Sequence, residues 1–246
     1  LMIAKKFNHS ERIKAILFDS GRVLNRPASG HWFIPPNFFN YVDKKKFLSI
    51  PIKQRKTAFL NSSEYIIHQK LIKSEEEEYI QFVQFYKIFA DFLPELNLED
   101  TSIQAVAKDL VFNREKYTFF EDALYLVPKL SEKYKLAVVS DAWPSLENVF
   151  VKANMRNYFS SFIISSKKGV TKPNKLMYQS ALDELNISPE QAIFIDDNIR
   201  NCIGASQLGI QSLVLNRNWK LFTLNKLLQR NYHFIRNLYD IEKILV

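Results

Sequence analysis

The feature that most constrains this chain is a unit repeated through its second half: a short β-branched apolar run, a polar turn, then a stretch with helical spacing. KLAVVSDA (135–142), SFIISS (161–166), AIFIDD (192–197) and QSLVLN (211–216) are the apolar runs, and KAILFDS (14–20) is an isolated run of the same kind far upstream. Each is too continuously apolar to leave one face in water, so each predicts a strand buried on both faces. Such strands alternating with helices predict an α/β fold with a Rossmann-like parallel sheet at its core. The intervening helices are expected to begin near Pro144, Pro173 and Arg200, with Pro173 suited to a first helical turn and Gly209 to a stop.

The stretch 26–117 has a different character. It is rich in Phe, Tyr, Lys and Glu, lacks β-type apolar runs, and predicts an inserted all-helical cap. The core is then discontinuous, comprising 1–25 and 118–246. Ser74 followed by Glu77 has the form of a capping box, and Phe82, Phe85, Tyr86 and Phe89 recur at the spacing of a packing face. The acidic run Glu75 to Glu78 would complement the dipole of a helix beginning there. HWFIPPNFF (31–39) contains two prolines and predicts a connecting loop, with His31 and Trp32 expected to pack rather than react, as is Trp143. The tail HFIRNLYDIEKIL (233–245) predicts an edge strand and a short helix.

With 246 residues, 47% of them apolar, the chain can bury a sizeable core. Its net charge of +8 suits an anionic small substrate, a nucleic acid or a membrane surface equally well. The basic residues are scattered, with short runs at Lys44 to Lys46 and Lys53 to Lys56, so no nucleic-acid partner is expected. No stretch reaches the roughly 18 apolar residues of a membrane span, and the N-terminal residues carry no apolar signal core. The expectation is a cytoplasmic protein with no membrane partner; oligomeric state has no signature here. Cys202 is the single cysteine, which excludes an internal disulfide and a cysteine-based zinc site.

The chemistry concentrates where strands should end. In open parallel sheets the ligand crevice lies at the carboxyl ends of the strands, so polar residues there can act together. Asp19 closes ILFD, Ser140 and Asp141 close LAVVSD, and Asp196 with Asp197 close IFIDD, while Lys172 precedes Pro173. A carboxylate can be a nucleophile toward phosphorus, others can hold a divalent cation, and Ser and Lys can bind phosphoryl oxygens. Taken singly, an Asp or Ser after an apolar strand is a common turn or helix cap. All of them together, in this order, make a phosphoryl-transfer set.

FDSGRVL (18–24), VVSDA (138–142), GVTKP (169–173) and FIDDNIRN (194–201) resemble, in order, the four motifs of the haloacid dehalogenase-like superfamily, in its branch with a helical cap after the first motif. The resemblance covers about 14–217. It implies a Mg²⁺-dependent phosphatase acting on a small phosphorylated substrate. Asp19 is then the nucleophile and a metal ligand, Ser140 a phosphate ligand, and Lys172 the group that steadies both the phosphate and the Asp19 charge. Asp197 is the direct metal ligand and Asp196 its close partner, with Asn201 a supporting match. Asp141 and Arg22 are placed among the substrate-contacting residues, although a surface salt bridge is an equal reading for Arg22.

One position departs from the family pattern. Most phosphatases of the superfamily carry a second Asp two residues after the nucleophile as general acid and base, and this chain has Gly21. Loss of such a group typically costs about 10²- to 10⁴-fold in rate. The metal site should survive, because the family uses the backbone carbonyl at that position as a ligand, which Gly21 retains. Two alternatives therefore stand beside the phosphatase: a binding or regulatory protein on a degenerate scaffold, motivated by Gly21, and a metal-independent 2-haloacid dehalogenase. Against the latter, uncompensated Asp196 and Asp197 beside a carboxylate nucleophile would repel it.

Overall fold

The computed structural model describes residues 13–229 and 231–245. Along the chain the strands are β1 (Ala15–Phe18), β2 (Asn25–Pro27), β3 (Tyr117–Phe119), β4 (Lys135–Ser140), β5 (Ser161–Ile164), β6 (Ala192–Asp196), β7 (Gln211–Leu215) and β8 (His233–Ile235). The first helices are α1 (Phe38–Tyr41), α2 (Lys44–Ser49), α3 (Ile52–His68), α4 (Glu75–Asp91), α5 (Asp100–Phe112) and α6 (Glu121–Ser131). They are followed by α7 (Ser145–Lys152), α8 (Ser165–Lys168), α9 (Lys175–Leu185), α10 (Ile199–Gln207), α11 (Trp219–Leu228) and α12 (Tyr239–Leu245).

Two compact units emerge. Among the described residues, one comprises those up to Arg26, Phe119–Ala142 and those from Ala153 on; the other is Pro27–Thr118 together with Trp143–Lys152. The first unit is built on a parallel sheet of order β5-β4-β1-β6-β7-β8. β1 and β6 are buried at every position, and β4 at all but Lys135, so these runs need no polar face. On one face Ala15, Leu17, Ala137, Val139, Ala192 and Phe194 pack with Met177, Tyr178 and Leu182 of α9. Because β1 lies between β4 and β6, the chain winds out to β5 on one side and then crosses β1 to build the other. That reversal opens the crevice in which such sheets place their ligands.

The second unit has an aromatic core. Phe82, Phe85, Tyr86 and Phe89 of α4 are buried with Phe38 and Phe59, as the spacing predicts. Trp143 packs against Phe33 and Phe82, His31 lies 4.4 Å from the Phe59 ring, and Trp32 meets Tyr117 at 5.2 Å. Ser74 caps α4 by accepting from the Glu77 N–H at 3.1 Å, but the Glu77 carboxylate accepts from Lys73 N–H at 2.6 Å rather than from Ser74. The acidic run does more than complement a dipole. Glu75 receives Arg114 and Asn148, and Glu78 is buried against Ser145 of α7.

Three local expectations change. The segment 26–117 is not helical to its ends, because β2 and β3 pair as a two-stranded ribbon where the chain leaves and re-enters the sheet unit. Pro173 precedes the helix: α9 starts at Lys175, with the Asn174 side chain accepting from Leu176 N–H as its cap. α11 was not foreseen between β7 and β8, whereas the edge strand β8 and the closing helix α12 fall where the tail predicts them.

Candidate active site

Parallel register brings the polar strand ends level. Phe18 pairs with Val138 on one side and Ile195 on the other, so the residues that follow each strand emerge side by side. Asp19 is thus flanked by Ser140 and Asp141 at the end of β4 and by Asp196 and Asp197 at the end of β6.

Lys172 ties these carboxylates together. Its Nζ donates to Asp19 Oδ1 at 2.6 Å and to Asp196 Oδ2 at 2.7 Å, while its backbone N–H donates to Asp141 Oδ1 at 2.9 Å. Burial alone would lower the Lys172 pKa, but the facing charges of Asp19, Asp196 and Asp141 raise it, so the ammonium is held charged. Ser140 Oγ donates to Asp19 Oδ1 at 3.2 Å. Asp19 itself is raised to about 7, chiefly by burial, with Lys172 opposing and Asp196 and Asp197 adding to the rise.

The two members of the acidic pair differ in their hydrogen bonding. Asp196 accepts from Lys172, from Asn198 N–H at 2.7 Å and from Asn201 Nδ2 at 2.9 Å. Asp197 receives, among the described residues, only Arg22 Nη1 at 3.4 Å. Asp197 therefore keeps oxygen lone pairs free, while those of Asp196 are largely used. One oxygen from each of Asp19, Asp196 and Asp197 lies within 4.8 Å of the others. Three clustered carboxylates balanced by one buried ammonium suit a hard divalent cation, for which carboxylate and carbonyl oxygens are the natural ligands.

The loop after Asp19 also has a defined hydrogen-bonding pattern. The carbonyls of Ser20, Arg22, Val23, Leu24 and Asn25 each accept a hydrogen bond, while that of Gly21 accepts none among the described residues. Arg22 takes up a left-handed conformation, φ 62°, and its side chain is mostly exposed.

Sequence reasoning assigned no role to Arg217. Its Nε donates to the Arg22 carbonyl at 3.1 Å and its Nη2 to the Val23 carbonyl at 2.7 Å, and both terminal nitrogens reach Asp122 at 2.9 Å. The guanidinium lies 3.7 Å from the Phe120 ring centroid. The only signal in the sequence is position: Arg217 follows β7 at the same end of the sheet as the carboxylates. Asn25 was missed too; it is buried and donates from Nδ2 to Ser20 Oγ at 2.8 Å.

The chain belongs to the haloacid dehalogenase-like hydrolase family, whose model matches residues 37–215. That span contains Ser140, Lys172, Asp196 and Asp197. It begins after Asp19, which the sheet register brings to the same place. A phosphoserine phosphatase from Thermus thermophilus is 24% identical over 134 residues, 53% of this chain and 54% of that protein. The chain spans about half the length of the curated relatives it matches. Among solved structures, a HAD phosphatase from Thermococcus onnurineus matches with a TM-score of 0.63 at 21% identity, covering 95% of this chain and 98% of that one. A 2-haloacid dehalogenase from Pseudomonas syringae matches with a TM-score of 0.61 at 14% identity and the same coverage. Identities this low establish the shared fold and leave the choice of reaction to the site.

Proposed function

We propose that the protein is a magnesium-dependent phosphatase that hydrolyses a small phosphorylated metabolite through a phospho-aspartate at Asp19. The observation that carries this reading is the Asp19 carboxylate at the end of the central strand, held by Lys172 and Ser140 beside Asp196 and Asp197. An Asp19 oxygen attacks phosphorus as the bond to the leaving oxygen breaks, and water then cleaves the acyl phosphate to restore the carboxylate. Lys172 orients Asp19 and offsets the charge that gathers as the phosphoryl group arrives, and Ser140 can turn its hydroxyl to a phosphoryl oxygen. Asp141 positions Lys172 through its backbone N–H. Arg22, exposed and bonded to Asp197, is the cation this reading offers to an anionic substrate.

Asp19, Asp197 and the free Gly21 carbonyl would hold Mg²⁺, with Asp196 fixed beside them by its three donors. The ion supplies positive charge that makes the carboxylate cluster tolerable and steadies a phosphoryl oxygen. Gly21 offers no proton to the departing oxygen, so an aryl phosphate, whose phenolate leaves unaided, is the appropriate assay substrate. Aryl phosphate turnover should require Mg²⁺, stop in EDTA, and fall to background in Asp19→Asn with the fold retained by circular dichroism. Turnover that survives that substitution in pure protein would overturn the assignment. Metal-independent halide release from a 2-haloacid in the same assays would establish the dehalogenase alternative. No turnover of either kind would favour the binding-protein reading that Gly21 motivates.

A further inference from the structure

Gly204 is buried inside α10, between Ile203 and Ala205. Glycine weakens a helix interior relative to alanine, so its presence there calls for a packing reason. Pro173 supplies one. A Cβ built on Gly204 would lie 2.6 Å from Pro173 Cβ, 3.0 Å from the Pro173 carbonyl oxygen and 3.2 Å from Pro173 Cα. Non-bonded carbons settle at about 3.5 Å or more, so any side chain at this position would force the helix and the Pro173 segment apart by about 1 Å.

Which side would yield follows from what holds each. Cys202 and Ala205 root α10 in the core of the sheet unit, and Asn201 Nδ2 donates to Asp196 Oδ2 at 2.9 Å. Pro173 is exposed, so it can move toward water while the helix cannot move into the core. The displacement would therefore fall on Pro173 and on Lys172, to which it is joined. Lys172 has little slack. Its backbone N–H is bonded to Asp141 at 2.9 Å, and its Nζ spans Asp19 and Asp196 at 2.6 and 2.7 Å.

We infer that Gly204 is a positioning residue for Lys172: the missing Cβ lets α10 seat Pro173 closely and so sets where the Lys172 ammonium meets Asp19 and Asp196. One helix then fixes both ends of the Lys172–Asp196 bond, Asp196 through Asn201 and Lys172 through Gly204 a turn further on. The kinetic consequence rests on the phosphatase reading of the site; the structural consequence does not.

Nuclear magnetic resonance of the full chain labelled with ¹⁵N-lysine tests the structural part. The ammonium signal that Lys172→Met removes should shift or vanish in Gly204→Ala. In aryl phosphate hydrolysis with Mg²⁺, Gly204→Ala should lower kcat by about 10- to 100-fold with little change in KM, the cost of misplacing a group by about 1 Å. Gln207→Ala, at an exposed position of the same helix, should change neither the signal nor kcat. Pro173→Gly removes the atom nearest the new methyl group, so in that background Gly204→Ala should cost several-fold less, a rescue that altered helix propensity would not produce. Should Gly204→Ala alone not fold, the same pairing must restore the circular dichroism spectrum. An unmoved Lys172 signal, or an equal cost with and without Pro173, overturns the inference. A moved signal in a protein whose wild type has no phosphatase turnover sustains it and overturns the phosphatase reading instead.

Discussion

Arg217 shows how much of a site one residue outside its motifs can hold. The fork of its guanidinium bonds two consecutive carbonyls of the loop after Asp19 and is itself held by Asp122, a buried carboxylate that also accepts from Leu238 N–H at 2.8 Å. Lysine carries the charge but cannot reach both carbonyls and both carboxylate oxygens from one point. If the phosphatase reading holds, Arg217→Ala should lower kcat by about 10- to 100-fold, since misplacement of a reacting group by about 1 Å costs that much. KM should change little, and Arg217→Lys should restore stability more fully than kcat. Steady-state kinetics beside thermal melts of both variants check this; a purely structural Arg217 would let kcat recover together with stability.

At the level of elements, the notable device is a buried polar network in the helical unit. Glu78 of α4 accepts from Ser145 at both the backbone N–H, 2.8 Å, and the hydroxyl, 2.6 Å, which caps the first residue of α7. Lys116 donates to the same hydroxyl at 2.5 Å and to the Leu110 carbonyl at 2.7 Å. Burial raises the Glu78 pKa against the pull of Lys116 and Ser145, and lowers that of Lys116 to about 8 despite Glu78. Removing one partner strands the other charge in the interior. Glu78→Ala should therefore cost about 3–5 kcal/mol. Glu78→Leu combined with Lys116→Met should cost much less than the two single changes together, because the hydrophobic pair leaves no charge unpaired. Denaturant unfolding of the four proteins in that cycle measures the coupling, and additive losses would show the network to be incidental.

On the scale of the whole molecule, the chain enters the helical unit twice. α7, reached directly from the strand that ends at Ser140, groups with Pro27–Thr118 and not with the sheet. Replacing 27–118 by a short linker would thus remove Glu78 and Lys116 from beneath Ser145 and strip Trp143 of Phe33 and Phe82. Such a deletion should yield a protein that binds hydrophobic dyes and aggregates. A monomeric product with a single sharp unfolding transition and no dye binding would show that α7 does not depend on the helical unit.

Strands and the order of the site were legible in the sequence because both rest on local chemistry. Continuous β-branched runs have only a doubly covered sheet to go to, and the aromatic spacing of α4 has only a helical core. Asp19, Ser140, Asp141, Asp196 and Asp197 could be singled out because each lies at or just beyond the end of such a strand, Lys172 because it stands before Pro173 in GVTKP, and Asn201 only through the resemblance of FIDDNIRN to a family motif. Tertiary structure alone decided the rest. The Lys172 bond to Asp196, the Arg217 clamp on the loop after Asp19, and the linking of Glu78 and Lys116 through the Ser145 hydroxyl join residues distant in sequence. Neither periodicity nor local propensity records such partners; they exist only once burial has removed water and left each polar group to find another.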